Sequence, residues 1–251
     1  MEELQSRQNS RIRHFRELGR ERDARRKAGE YLCDGWKLLE EALKAGAEIT
    51  GVLWGGEPER ELPPHVPQWR CSRELLQYAS PLENSPGPLF TVSMPAADAG
   101  AAPRQALLLE NVQDPGNVGT VLRTAAAFGA ELVLLCGCAD PYNPKTVRAS
   151  MGAVFRQRFL ELPFAEARER LRGWGLPLYA AALDETARDI RSLPLEQCAV
   201  AVGNEGKGLS RELLESADGR LIIPMSPGSE SLNAAVAASV ILWELCGRKQ
   251  K

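Results

Sequence analysis

Three stretches of this chain hold residues able to do chemistry, and each follows an apolar run. In the first, Glu110 to Ala130 (ENVQDPGNVGTVLRTAAAFGA), Asp114, Pro115 and Gly116 form a tight turn, and Asn117 is suited to cap the helix that follows. At 100° per residue Val118, Val121, Leu122, Ala125 and Phe128 share an arc of about 120°, the face expected to be buried. Arg123 lies roughly opposite the centre of that arc. Its guanidinium could reach a ligand, or it could be a solvated surface group. In the second stretch, Val202 to Ser210 (VGNEGKGLS), Gly203, Gly206 and Gly208 let backbone approach a ligand closely or turn with positive φ. Glu205 among them is a catalytic or positioning carboxylate, or an ordinary turn residue. In the third, Ile222 to Leu245, Ser229, Ser231 and Asn233 crowd the start of an alanine-rich helix. Their side-chain oxygens can cap free backbone amides.

Something must position these loops. Short apolar runs, ALLLE at 106, ELVLLC at 131, LYAAAL at 178, AVAVG at 199 and RLIIP at 220, alternate with helical patterns. Continuous apolar strands separated by helices describe a mainly parallel sheet covered on both faces. Ligands of such sheets bind beyond the carboxyl ends of the strands, where all three loops begin. The small residues Ala234, Ala235, Ala237, Ala238 and Ser239 permit close packing of another backbone or subunit, or ordinary core packing. Upstream, Tyr31 to Trp54 reads as strand, helix, strand, with Leu38, Leu39, Ala42 and Leu43 on one helical face and Gly46 as a stop. Five prolines between Pro81 and Pro103 and the aperiodic PAADAGAAPR place a domain boundary near residues 95 to 105. The expected organisation is a basic arm over residues 1–30, a small α/β domain over 31–95, a linker over 96–105 and a larger α/β domain over 106–251.

Composition narrows the function classes. With 44% apolar and 25% charged residues the chain is globular. No apolar run reaches the roughly 18 residues of a membrane span, and the beginning lacks a secretory apolar stretch, so a cytoplasmic protein without a membrane partner is expected. The six cysteines are scattered, which suits a reduced compartment. Cys136 and Cys138 have no second cysteine pair, and His14 and His65 are distant in sequence, so no metal is expected. The net charge of −2 is uninformative, but Arg7 to Lys27 carries nine basic against three acidic residues, or +6. Such a window could pair with phosphates or be a solvated helix. The glycine-rich turns alone suggest a nucleotide-dependent enzyme of doubly wound type, yet the GxxxxGK[ST] and GxGxxG spacings both fail.

Taken together and in this order, the loops resemble the three signature motifs of the SpoU (TrmH) RNA 2′-O-ribose methyltransferases. The first, NxxDPGNxGxxxRTAxAFG, is met by Asn111, Asp114, Pro115, Gly116, Asn117, Gly119, Arg123, Thr124, Ala125, Phe128 and Gly129. The second, GxExxGLS, is met by Gly203, Glu205, Gly208, Leu209 and Ser210. The third, IPMxGxxxSLN, corresponds to Ile223, Pro224, Met225, Gly228, Ser231, Leu232 and Asn233, with Pro227 adding one residue before Gly228. RASMGAVFR, Arg148 to Arg156, resembles a further family segment. YLCDGWKLLEEAL stands where FLVEGxxxVEEAL is usual, with Asp34 in place of the common glutamate. The likeness spans nearly the whole chain, most strongly from residue 106 onward.

The resemblance implies a knotted α/β methyltransferase domain preceded by a substrate-binding domain, assembled as a homodimer. It implies S-adenosylmethionine as cofactor, held by backbone around Gly203, Ile223 and Leu232, and an RNA partner. The reaction is in-line attack of a ribose 2′-oxygen on a sulfonium-bound methyl, without metal. Arg123 is the family's proposed activator of that hydroxyl. A guanidinium, with a pKa above about 12, is a poor base, so stabilisation of the alkoxide fits better, with phosphate or water taking the proton. Asn117 and Glu205 would orient the arginine and the second loop, while Ser231 and Asn233 would contact substrate or fix the third. A separate substrate module after a basic stretch points to large-subunit ribosomal RNA. The alternatives are a tRNA 2′-O-methyltransferase or a catalytically silent RNA-binding protein of the same fold, the latter disfavoured by intact Asn117, Arg123, Glu205 and Asn233.

Overall fold

The structure is a computed structural model that describes residues 1–96, 100–226 and 231–247. Pro227, Gly228 and Ser229, singled out in the sequence, lie outside the described residues. In chain order the elements are β1 (Glu2–Leu4), α1 (Ser10–Arg20), α2 (Arg22–Ala28), β2 (Glu30–Asp34), α3 (Trp36–Lys44), β3 (Ile49–Trp54), β4 (Gln68–Cys71), α4 (Arg73–Ala79), β5 (Leu89–Ser93), β6 (Gln105–Glu110), α5 (Pro115–Phe128), β7 (Leu132–Cys136), α6 (Pro144–Ser150), β8 (Phe159–Glu161), α7 (Phe164–Gly173), β9 (Leu178–Ala181), β10 (Arg188–Asp189), β11 (Cys198–Val202), α8 (Arg211–Ser216), β12 (Gly219–Ile222) and α9 (Ala234–Gly247). Among the described residues no helix is long and apolar enough to cross a membrane.

The chain packs as two units, residues 1–96 with 140–155 and residues 97–139 with 156–251. Two features of this division differ from the expected one. Residues 1–30 are no arm, because Ile12, Phe15 and Leu18 of α1 sit in the core of the first unit with Leu32, Leu53, Leu76 and Leu89. Residues 140–155 pack with the first unit although they follow β7 in sequence. The reason is an ion pair that no local pattern reveals. Arg25, 2% exposed, donates through Nε and Nη2 to Asp140 Oδ2 at 3.0 and 2.6 Å and through Nη1 to the Leu18 carbonyl. Tyr31 packs on Tyr142, ring centroids 4.7 Å apart, and on Phe155.

The first unit holds a five-stranded sheet in the order β1-β4-β3-β5-β2. The β1/β4 and β3/β4 pairs are parallel, while β5 pairs antiparallel with β2 and β3. The second unit holds a seven-stranded sheet, β10-β12-β9-β11-β6-β7-β8, all parallel. Parallel pairing requires crossovers, and the helices that make them cover both faces. Alternation along the strands separates the two cores. Leu107, Leu109, Val133, Leu135, Val200 and Val202 face α5 and α9, whereas Ala106, Leu108, Leu132, Leu134, Ala199 and Ala201 face α7 and α8 through Ala167, Leu171 and Leu213. The alanines of α9 serve close helix packing. Ala234, Ala235 and Ala238 are buried, α5 buries Val118, Val121, Leu122 and Ala125, and the Ser239 hydroxyl donates across to Thr124 Oγ1 at 3.4 Å.

Candidate active site

The parallel strands deliver their carboxyl ends to one edge of the second unit, and a cleft of about 440 Å³ opens there. That volume lies within the range of about 300–1,000 Å³ usual for small-molecule sites. Its walls come from the ends of β9 (Ala181, Ala182, Leu183), β11 (Val202 to Leu209) and β12 (Leu221 to Ile223), closed by Met225, Ser231, Leu232, Ala234 and Ala237. Gly203, Ile223 and Leu232 all line it. Gly203 is required by close approach: a Cβ there would collide with the Gly208 carbonyl and the Leu209 amide. Backbone cannot yield as a flexible side chain can, so the floor of the cleft exists only with glycine. Apolar walls with exposed backbone fit an adenosyl group, and Glu205 and Lys207 are the charged side chains among the described lining residues.

The loop after β11 is a small closed structure. Asn204 and Gly208 exchange both backbone hydrogen bonds, at 3.1 and 2.9 Å. The Asn204 side chain accepts from the amides of Gly206 and Lys207 and donates to the Asn111 carbonyl at 2.9 Å, tying the second loop to the first. At the loop's far end Glu110, 4% exposed, accepts from the Ser210 amide and hydroxyl at 2.7 and 2.6 Å. Ser210 in turn caps α8 by accepting from the Leu213 amide. Sequence reasoning missed Asn204 and Glu110. The available signals were an asparagine beside three glycines and an acid ending an otherwise apolar strand.

Asn117 was expected to cap α5, and here the structure corrects the sequence. Asp114 is the cap, accepting from the Asn117 amide at 2.8 Å. Pro115 has no N–H to satisfy and a preset φ, so it occupies the first helical position and moves the cap one residue upstream of itself. Asn117 is thereby freed. Its Nδ2 donates to Glu205 Oε1 at 2.6 Å, while its Oδ1 accepts from Asn233 Nδ2 at 3.3 Å. Asn233 also caps α9, accepting from the Ala235 and Val236 amides. One amide side chain therefore joins the three sequence loops.

Arg123 is not brought to this cluster. It is exposed, does not line the cleft, and lies six residues past Asn117. Six residues amount to about 9 Å of rise and a rotation of about 240°. Ser231 is exposed on the cleft wall, and its side chain bonds to no other group among the described residues. Cys136 and Cys138 face no charge that would favour a thiolate. Burial pushes both thiols up to about 12, leaving them neutral at pH 7 and poor metal ligands.

Comparison with known proteins matches this arrangement to one family. Residues 104–243 match the model of the SpoU rRNA Methylase family, and residues 9–89 match the MRM3-like substrate binding domain. The 23S rRNA (guanosine(2553)-2′-O)-methyltransferase RlmP of Bacillus subtilis is 32% identical, over 98% of this chain and 100% of its own. A solved RNA 2′-O ribose methyltransferase superimposes with a TM-score of 0.80 at 31% identity, covering 99% of this chain and 100% of that one. The SpoU methyltransferase AviRb of Streptomyces viridochromogenes, solved in complex with AdoMet, superimposes with a TM-score of 0.83 at 28% identity, covering 97% and 99%. With both regions matched and relatives aligned along its whole length, the chain belongs to the SpoU rRNA methylase family.

Proposed function

We propose that this protein transfers a methyl group from S-adenosylmethionine to a ribose 2′-hydroxyl of large-subunit ribosomal RNA. The observation that carries this reading is the Asn233–Asn117–Glu205 chain of hydrogen bonds beside a glycine-floored cleft at the strand ends. Relatives named for 23S ribosomal RNA support the RNA class, and AdoMet-bound neighbours support the cofactor. When bound, S-adenosylmethionine supplies an electrophilic methyl on a sulfonium, so the protein need only align the acceptor and stabilise developing charge. Gly203, Ile223 and Leu232 would hold the cofactor, and Ser231 on the wall would meet the substrate ribose. Asn117 positions Glu205 and the second loop, and Asn233 fixes the third loop while capping α9.

Arg123 would stabilise the 2′-alkoxide from a second copy of the chain. On α9 Val236 is 49% and Trp243 61% exposed, and Phe128, about 140° around α5 from Arg123, meets Trp243 edge-on at 5.6 Å. Aromatic and aliphatic groups left in water across two packed helices are the makings of a self-complementary interface. A homodimer through this face would bring an arginine that its own cleft lacks. The knot implied by the family likeness would involve the loops after β11 and β12, the two that line the cleft. The deciding experiment is methyl transfer from labelled cofactor to unmodified ribosomal RNA and tRNA pools, with nuclease mapping. Label in a 2′-O-methyl nucleotide of ribosomal RNA, abolished by Arg123→Ala, is expected. Label in tRNA alone would move the substrate, and none despite cofactor binding would leave a silent RNA-binding protein.

A further inference from the structure

The basic window near the amino terminus divides in the folded protein, and the division marks a surface. Arg25 is consumed internally by Asp140 and the Leu18 carbonyl, and Arg26 also approaches Asp140. Arg7, Arg13 and Arg20 are different. Each is exposed, and among the described residues none gives a side-chain hydrogen bond or ion pair to protein. On α1 Arg13, Arg16 and Arg20 fall within an arc of about 60° and span about 10 Å of helix. Two of the guanidiniums on this flank are braced by one aromatic ring. Arg7 lies 4.6 Å and Arg16 4.0 Å from the centroid of Tyr78 on α4, and Arg16 also donates to the Tyr78 carbonyl at 2.6 Å.

A ring under a guanidinium fixes its plane while leaving N–H donors at the edge unspent. Such a group has lost part of its hydration and orientational freedom before any ligand arrives, and its fork matches phosphate oxygens. Acids near this flank include Glu17 on α1, Glu21 directly after it and Glu74 on α4, all exposed, and none pairs with these arginines among the described residues. The other arginine of α1 held by an aromatic ring, Arg11 over Trp69 at 4.7 Å, stands about 140° or more around the helix from Arg16 and the others and is not part of the flank.

We propose that the Arg13–Arg16–Arg20 flank of α1, with Arg7 from the turn before the helix and Tyr78, binds the phosphate backbone of the RNA substrate. The inference rests on the RNA methyltransferase reading and assigns the contact to particular side chains. Phosphate is favoured over an acidic protein surface because the donors form a narrow row along one helix, suited to a periodic line of oxyanions rather than scattered carboxylates.

The test is binding of unmodified, protein-free large-subunit ribosomal RNA transcript by the full chain at 0.05 to 0.3 M salt, followed by anisotropy. Each phosphate contact contributes roughly 0.7–0.9 to the slope of log affinity against log salt. Arg13→Gln/Arg20→Gln, which touches nothing in the core, is expected to lower the slope by about 1.5 and weaken binding at 0.1 M salt about ten- to fortyfold. S-adenosylmethionine affinity and the thermal melt should be unchanged. Arg7→Lys/Arg16→Lys keeps the charge but loses the planar stack, and should weaken binding with little change of slope. An unchanged slope in the double glutamine variant, while the wild type still methylates RNA, overturns this surface alone. An equal loss in Lys27→Gln, on α2, would mean a diffuse field and also overturns it. No salt-dependent binding and no methyl transfer by the wild type would overturn both the surface and the proposed activity.

Discussion

Asn117→Asp should separate the positioning role of this side chain from ordinary helix structure. The substitution replaces the Nδ2 donor that meets Glu205 Oε1 at 2.6 Å with a carboxylate oxygen. Helix α5 keeps its cap, because Asp114 bonds the backbone amide of residue 117, not its side chain. Two unit charges at about 4 Å repel by about 1 kcal/mol in water and about 4 kcal/mol at the effective dielectric of a protein surface. Glu205 is exposed, so the lower part of that range applies, with loss of the hydrogen bond adding about 1 kcal/mol. The second loop bears both Glu205 and the Gly203 floor, so cofactor affinity at pH 7.5 should fall about tenfold or more. Two adjoining carboxylates hold a shared proton more tightly than either alone. Titration calorimetry at pH 5.5 should therefore recover much of the affinity, while the wild type changes little. In Asn117→Asp/Glu205→Gln the polarity is reversed, with the amide now on the loop and the carboxylate on α5. Affinity should return to within about threefold of wild type at pH 7.5, whether or not turnover returns. Wild-type cofactor affinity in the single variant at pH 7.5, with no response to acid, would refute the bridging role.

Three further outcomes follow from the geometry. Gly203→Ala should abolish cofactor binding by calorimetry while leaving the far-ultraviolet dichroism intact, since the added methyl meets the backbone of Gly208 and Leu209 within one loop. Asp140→Ala should destabilise the first unit by about 3–5 kcal/mol, because Arg25 is left charged and buried, whereas Arg25→Met/Asp140→Leu should be nearly neutral; hydrogen-exchange protection of α1 and α6 reads the difference. Burial raises the Asp34 carboxyl above its ordinary 3.8, against hydrogen bonds from Ser85 and Ser80 that act to lower it. The folded form then holds its proton longer than the unfolded chain. This group's contribution to stability therefore declines as pH rises from about 3.8 through the raised folded value, and the full penalty stands above it. Asp34→Asn should flatten that part of the pH–stability curve, and an unaltered curve in denaturant titrations would count against the burial argument.

Much of the fold could be read along the chain because its signals are local. Apolar runs separated by amphipathic stretches specify buried parallel strands, and each expected run from Ala106 to Pro224 overlaps one of β6, β7, β9, β11 and β12, while the short edge strands β8 and β10 gave no such run. The three loops were legible for the same reason: glycine, proline and Asx residues restrict φ and offer caps within a few residues of themselves. Spacing also located the buried face of α5 at Val118, Val121, Leu122 and Ala125, although Phe128, expected on it, is only partly buried.

What depended on tertiary structure was which polar groups meet. Asn117 reads equally as a cap or a site residue until Pro115 sets the helix start and residues 88 and 116 positions further along arrive at its side chain. Arg25 and Asp140 are 115 residues apart, and in sequence they belong to a charge run and a loop. Together they draw residues 140–155 into the first unit. The sequence by itself determined the strands from β2 to β3, the five apolar strands around the site and the three loops after them, since those follow from backbone restriction and periodic burial over short range. Only the folded chain decided the partners of Asn117, Glu110, Arg25 and the arginines of α1, because a hydrogen bond or ion pair depends on a few ångströms of separation that no local pattern encodes.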